Sequence, residues 1–296
     1  MEVAVFYEVQ LPEIDPGQKQ IAALVVLTPS ESKRLLAKAV VALPEVQNAF
    51  KNGTIIIGKG VTNAFITEEL LGFPVEPKGA LTVGLVCGGI TEAHAGPPAT
   101  TAHVIRKGNV VEGADSNVEI LSFGPDDVYV KGANAVDREG NVGVLSSTYK
   151  GGTIGMVWPV VTPRGSQLIM PVGLEKMVPS VMTAAQHSGI FHFKWSTGLP
   201  VKLIPVPLGK VVTEIEAFAV LAGVRAYHLA SGGIGGSEGA VVLSLEGDET
   251  SVERAFELVK AIKGEPPTAM PQKFFVGCPA EFKYDARAQL ATLGGK

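Results

Sequence analysis

Short apolar runs alternate along the chain with longer segments in which apolar residues recur at helical spacing. The runs Gln20–Leu27 and Thr54–Ile57 have the length of strands, and the second is continuously apolar, as in strands buried on both faces of a parallel sheet. Between them Thr28 and Glu31 predict a helix that begins with a capping box and is interrupted by Pro44. This alternation continues to about residue 187 and favours an α/β fold with a mostly parallel sheet covered by helices.

The order of predicted elements changes at about residue 200. It becomes strand, helix, strand, strand, helix, strand, which is typical of a ferredoxin-like α+β domain. The predicted elements are Val201–Val206, Thr213–Leu221, Ala226–Ala230, Ala240–Leu245, Glu249–Ile262 and Lys273–Val276. We therefore expect an α/β domain over residues 1–199, a smaller ferredoxin-like domain over 200–277, and a tail over 278–296.

Composition narrows the class of protein. Hydrophobic residues make up 46% and charged residues 18%, which permits a large core and argues against global disorder. The net charge of −4 supplies no basic face for nucleic acid. Cys87 and Cys278, the only cysteines, exclude a disulfide scaffold. Without a signal-like start or an apolar run of about 18 residues, we expect a cytoplasmic protein that does not cross a membrane. The mean hydropathy of +0.27 makes a homo-oligomer plausible.

Glycine is abundant, with 35 residues where average usage of about 7% would give roughly 21. One glycine segment follows the predicted strand Thr54–Ile57. In it, backbone N–H groups at a helix start and one lysine suit a phosphate or a carboxylate. The alternative is a plain turn with Thr62 as the helix N-cap. The candidate ligand-binding residues of this segment are Gly58, Lys59, Gly60, Thr62 and Asn63.

Two more glycine segments occupy similar positions after strands, where ligands bind in open α/β sheets. The second supplies Lys131, Gly132 and Asn134, and Asp137 just beyond it either orients Lys131 or acts as a base. Asn134 and Asp137 have a structural alternative as turn residues. The third candidate segment is Lys150, Gly151 and Gly152.

Together these segments resemble the superfamily of ribose-5-phosphate isomerase, glucosamine-6-phosphate deaminase and the CoA-transferases. The stretch 54–62 matches its strand, glycine turn and Ser/Thr, and 127–134 matches its later strand and Gly-Ala-(Asp/Asn) turn. The stretch 132–142 is most similar to lactate-utilisation (LUD) proteins. The resemblance implies an isomerase/CoA-transferase-like fold in which all three glycine segments lie at one end of a single sheet.

The chain also departs from these relatives. The isomerase turn carries carboxylates where this chain has Lys131-Gly-Ala-Asn-Ala, so sugar-phosphate isomerisation is not expected. CoA-transferases use a glutamate nucleophile, and the candidates by context are Glu92, which follows Gly88 and Gly89, and Glu139. A metal site formed by Glu92, His94 and His103 is an alternative. Their spacing is not that of metal ligands, so we predict no metal, and no cofactor is indicated.

Two functions remain open. In the first, the protein binds a carboxylate, a phosphorylated metabolite or a CoA thioester in a glycine-rich pocket and acts as a transferase or a related enzyme, with Glu92 or Asp137 as its catalytic carboxylate. In the second, the same scaffold is a non-catalytic metabolite-binding or sensor protein. Loss of turnover in Glu92→Gln or Asp137→Asn would favour the enzyme.

Overall fold

The computed structural model describes residues 6–13, 17, 19–93, 103–269 and 285–291. Its strands are β1 (Gln20–Leu27), β2 (Thr54–Ile57), β3 (Gly84–Cys87), β4 (Ile90–Ala93), β5 (His103–Arg106), β6 (Asn109–Val110), β7 (Val128–Val130), β8 (Ala135–Val136), β9 (Val142–Ser146), β10 (Gln167–Pro171), β11 (Lys202–Pro205), β12 (Lys210–Val212), β13 (Arg225–Ser231) and β14 (Val241–Asp248). Its helices are α1 (Pro29–Ala42), α2 (Pro44–Asn52), α3 (Val61–Leu71), α4 (Ser116–Glu119), α5 (Gly152–Arg164), α6 (Val181–Gln186), α7 (Glu214–Ala222), α8 (Glu249–Ile262) and α9 (Ala286–Ala291).

A six-stranded sheet of order β12-β10-β7-β2-β5-β6 forms the centre of the molecule. Its first four strands are parallel, and β5 and β6 are antiparallel additions at one edge. Each residue of β2 is buried, which confirms the expectation of a strand covered on both faces. The protein is therefore a mixed α/β protein with a mostly parallel sheet, as the sequence predicts.

Successive residues of the central strands point into two different cores. Ile55 and Ile57 belong to the larger core, which they share with apolar residues of α1, α3, α7 and α8. Ile56 and Tyr129 belong to the second core, which includes apolar residues of α5. The larger core continues into a three-stranded antiparallel sheet of order β1-β14-β13.

Local signals in the sequence set the ends of several helices. Thr28 Oγ1 accepts from the Glu31 N–H at 3.4 Å, and Glu31 Oε2 accepts from the Thr28 N–H at 2.9 Å, so the predicted capping box is present. Gly72 ends α3 in the left-handed conformation, with φ of 72°. Pro44 does interrupt α1, but it also begins α2, because proline is tolerated at the first helical position. The apolar pattern of the sequence does not predict α2.

The predicted helix over residues 175–187 is shorter than expected. A 3-10 turn covers Leu174–Lys176, and α6 begins only at Val181. Pro179 disfavours helical geometry in the residue before it, and that residue, Val178, donates its N–H to Val136 O at 2.8 Å. Pairing with β8 therefore replaces the first part of the predicted helix.

The strands after residue 200 do not join a single sheet. Strand β11 pairs with β9, the unpredicted strand β12 pairs with β10, and β14 pairs with both β13 and the N-terminal β1. Three of these pairings cross the expected boundary at residue 199. Lys273–Val276 and most of the expected tail lie outside the described residues. The division into domains stays a prediction, which limited proteolysis near residues 194–200 tests.

Within the described part of the chain, every helix is too short or too polar to cross a membrane.

Candidate functional site

The carboxyl ends of four neighbouring parallel strands lie side by side at one edge of the central sheet. Polar residues follow each strand there, because the chain leaves the sheet and turns toward the next helix. Lys59 and Asn63 follow β2, Lys131 follows β7, Lys176 follows β10, and Glu214 follows β12. We call these five residues the strand-end cluster.

Asn63 fixes the turn between β2 and α3. Its side-chain Nδ2 donates to Gly58 O at 2.6 Å and to Val130 O at 3.2 Å, which links the turn to the end of β7. Gly58 is tightly enclosed, since a Cβ there would lie 3.0 Å from the Tyr129 hydroxyl oxygen. The N-cap of α3 is Gly60, at φ of 154°, and not Thr62. No side chain caps this helix start, so its first N–H groups point from the turn without a capping partner.

Two lysines occupy the ends of β7 and β10. Lys131 Nζ donates to Gly132 O at 3.2 Å, and Lys176 Nζ donates to Ala133 O at 3.1 Å. Burial, together with repulsion from Lys176, lowers the pKa of Lys131 to about 8. Burial also lowers the pKa of Lys176, and repulsion from Lys33 adds to the effect. The two ammonium groups are therefore close enough to oppose each other's charge.

These lysines lack ion-pair partners in the described structure, and the nearby carboxyls of Glu175 and Glu214 offset only part of the lowering of the Lys176 pKa. Across the described ranges, no carboxylate forms an ion pair with Lys59, Lys131 or Lys176. Burial lowers the pKa of Lys59 as well. Withdrawing an ammonium group from water without an ion-pair partner is unfavourable, and three lysines beside the single carboxyl of Glu214 leave this edge of the sheet with a surplus of positive charge.

Glu214 is the acidic member of the cluster and is fully buried at the start of α7. Its Oε2 accepts from the Leu174 N–H at 2.9 Å, which ties α7 to the end of β10. Burial raises the pKa of its carboxyl, and hydrogen bonds from Leu174 and Ser32 offset only part of that effect. A protonated Glu214 can donate as well as accept a hydrogen bond.

Two buried oxygens in the cluster have no hydrogen-bond partner among the described residues. They are Asn63 Oδ1 and Glu214 Oε1. Buried acceptors are nearly always paired in folded proteins, so an unpaired one calls for an explanation such as a bound ligand. Taken with the lysines, the cluster offers positive charge together with unused acceptors to a polar molecule.

The structure separates the second predicted segment into two parts. Gly132 lies beside the cluster, since a Cβ there would be 3.9 Å from Asn63 Oδ1. Asn134 is exposed, its Oδ1 accepts from the Leu145 N–H at 3.0 Å, and its own N–H bonds to Gly143 O. Asn134 therefore extends the pairing of β8 with β9, a structural role at the start of β8.

Asp137 is also held by structural hydrogen bonds. It is 1% exposed, and its carboxylate accepts from the Asn141 N–H at 2.9 Å, from Asn141 Nδ2 at 3.1 Å and from the Val181 N–H at 2.9 Å. These contacts close a turn and anchor the start of α6. The turn alternative accounts for them without a catalytic role.

The third glycine segment lies elsewhere, which corrects the expectation that all three segments share one sheet edge. Gly152 begins α5 after β9, and β9 pairs with β8 and β11 in a separate sheet. Lys150 is exposed, and a Cβ at Gly151 would lie 3.2 Å from Ile204 Cδ1. The antiparallel pairing of β9 with β11 is what removes this segment from the strand-end cluster.

The remaining candidates lie in or near the β3–β4 hairpin. Gly88 and Gly89, at φ of 58° and 79°, form the two-residue turn that this hairpin requires. Glu92 is half-buried on β4, and its catalytic role stays a prediction. His94 lies outside the described residues. No group of three or more histidines, cysteines or acidic residues that could hold a metal occurs in the described part of the chain.

Sequence reasoning missed Lys176 and Glu214. Lys176 lay inside a predicted helix, and Glu214 lay at the start of another helix whose preceding strand, β12, had not been identified. The apolar pair Val211-Val212 just before Thr213 was the available signal.

Comparison with protein-family models, curated proteins and solved structures finds no match for this chain, and the superfamily resemblance remains a prediction.

Proposed function

We propose that the strand-end cluster binds a small anionic metabolite. The observation that carries this proposal is the pair Lys131 and Lys176, two desolvated ammonium groups at adjacent strand ends that hydrogen-bond only to backbone carbonyls in the described residues. An anion between them would neutralise both charges, and the uncapped start of α3 would add backbone N–H donors.

The ligand class remains a carboxylate, a phosphorylated compound or a CoA thioester. The glycine turns after β2 and β7 support placing the α/β part in the isomerase/CoA-transferase-like superfamily, with the LUD-like motif after β7. Support for a ferredoxin-like second domain is confined to the succession β13, β14 and α8, since β11 pairs with β9.

Between an enzyme and a sensor, Lys131 favours an enzyme. A group whose pKa is about 8 exchanges protons readily near neutral pH, as general acid–base chemistry requires. Glu214, whose pKa burial raises, is a candidate acid at the same sheet edge. A transferase or a related enzyme would then use Lys131 to move a proton, with Glu92 a separate candidate for covalent chemistry.

Isothermal titration calorimetry with acetate, inorganic phosphate and acetyl-CoA tests the proposal. We expect at least one of these to bind, and Lys131→Gln to weaken that binding about tenfold or more, because a buried charge partner is lost. Lys51→Gln, on the exposed end of α2, is the matched control and leaves binding unchanged. Absence of binding by all three, or binding that Lys131→Gln does not alter, refutes the proposal.

A further inference from the structure

A cavity of about 680 Å³ lies at the starts of α1 and α3, and its lining does not include the five residues of the strand-end cluster. The starts of α1 and α3, strand β3 and residues 264–269 form its walls. It is much larger than a compact anion needs, since cavities of about 300–1,000 Å³ hold drug-sized molecules. The proposed anion therefore leaves most of this space unused.

The surface that the cavity offers to a ligand is mainly apolar. Its lining includes Val61, Leu85, Val86, Pro266 and Pro267. Proline, valine and leucine side chains cannot hydrogen-bond, so such a wall favours a hydrocarbon or aromatic group over water.

Three of the four charged residues of the wall are paired with an opposite charge, and the fourth, Glu238, is exposed. Glu31 accepts from Lys263 Nζ at 2.8 Å, and Lys33 Nζ lies 3.0 Å from Glu175 Oε1. Glu265 is bound by Arg34 at 2.9 Å. These ion pairs satisfy their own members, so they do not call for a charged group inside the cavity.

Lys33 connects the cavity to the cluster. Its side chain lines the cavity, and its ammonium group is near enough to Lys176 to repel it. Val61, on another wall, follows directly on the Gly58–Gly60 turn that ends β2. A molecule whose charged end sits at Lys131 and Lys176 would thus have its other end beside the apolar walls.

We propose that the ligand is an amphipathic carboxylic acid, with its carboxylate at Lys131 and Lys176 and an aliphatic or aromatic body in the cavity. This inference rests on the proposed function and narrows its ligand class. It excludes a compact anion as the preferred ligand, because such an anion gains nothing from the apolar walls.

Calorimetric titration of octanoate against acetate tests the inference, because the two share a carboxylate and differ in apolar length. We expect octanoate to bind at least about tenfold more tightly than acetate, since each buried methylene adds to affinity. Val86 lines the cavity and is 68% exposed. Val86→Trp should weaken the binding of octanoate about tenfold and leave the binding of acetate unchanged. Leu24→Trp, on the 65% exposed Leu24 of β1, is the matched control and changes neither.

The outcomes separate the two proposals. Equal affinities for acetate and octanoate, both lowered by Lys131→Gln, overturn the amphipathic ligand and leave the anion site standing. Octanoate binding that depends on Val86 but not on Lys131 overturns the amphipathic ligand, because the cavity then acts without the cluster, and the anion site is judged by acetate, phosphate and acetyl-CoA. Binding that depends on both residues supports the inference.

Cys87 lines the cavity, so the reactivity of its thiol reports where the hydrocarbon chain of octanoate binds. In a Cys278→Ser background, octanoate should slow the alkylation of Cys87 by iodoacetamide, whereas acetate at equal occupancy should not. An alkylation rate that octanoate leaves unchanged would place the apolar body elsewhere and overturn the inference.

Discussion

Two groups of charged residues in this protein are built in opposite ways. Arg34 of α1 is held by three carboxylates, those of Glu68 at 2.7 Å, Glu69 at 2.9 Å and Glu265 at 2.9 Å. Lys131 of the strand-end cluster meets only a backbone carbonyl and another lysine in the described structure. We therefore expect partly buried charge to stabilise the fold where it is paired and to lower stability where it lacks an ion-pair partner.

The largest effect is expected at the paired group. Arg34→Met should lower the free energy of unfolding by about 3–5 kcal/mol, because Glu265, which is 14% exposed, loses its ion-pair partner, while Glu68 and Glu69 each keep one lysine. The guanidinium contact with the Phe65 ring is lost as well. Urea denaturation measures the change.

Arg138→Met provides the control for that prediction. Arg138 pairs with Glu139 in an exposed turn, so its loss should leave the urea midpoint unchanged. If Arg34→Met and Arg138→Met behave alike, the Arg34 network is not a stabilising element.

An effect of opposite sign is expected at the unpaired group. Lys131→Met should raise the free energy of unfolding by about 1–3 kcal/mol near neutral pH, because it removes a desolvated charge while keeping an apolar stem. The same variant loses anion binding. A Lys131→Met protein that is less stable than the wild type would show that the lysine serves the fold.

The stability gain of Lys131→Met should depend on pH. The folded-state pKa of about 8 lies below the ordinary value of 10.5, so between these values the unfolded chain holds more protons and wild-type stability rises with pH. The advantage of Lys131→Met is therefore complete below about pH 8 and shrinks as the pH approaches about 10.5. Urea titrations across this window measure it, and an advantage that stays constant would contradict the depressed pKa.

The smallest effect is expected at Glu214. Because burial raises its pKa, the folded state holds the proton more firmly than the unfolded state, and wild-type stability falls as pH rises from the unfolded-state pKa through the folded-state pKa. Glu214→Gln stays neutral and lacks this loss, so it should match the wild type in acid within about 1 kcal/mol and exceed it at neutral pH. Glu253→Gln, on the exposed face of α8, is the control and should follow the wild-type pH profile.

The candidate site was predictable only in part. Lys59 and Lys131 come within two residues of the apolar strands β2 and β7, and Asn63 lies in the first turn of the helix after β2, so the local pattern is enough to place them at a sheet edge. Lys176 and Glu214 join them because β10 pairs with β7 and β12 pairs with β10 in the sheet. The order of strands in a sheet cannot be deduced from any short stretch of sequence. For the same reason the sequence could not show that the segment after β9 belongs to a different sheet.

Local sequence is sufficient to predict the α1 capping box, the apolar strand β2 and the glycine end of α3, because each depends on residues within a few positions of one another. The folded structure was needed to show which strands pair across the chain, that β1 completes a sheet with β14, and that Lys131 and Lys176 share an edge without an ion-pair partner in the described residues. Such features arise from contacts between residues far apart in sequence. Their free energies depend on burial and on the surrounding charges, which exist only once the chain has folded.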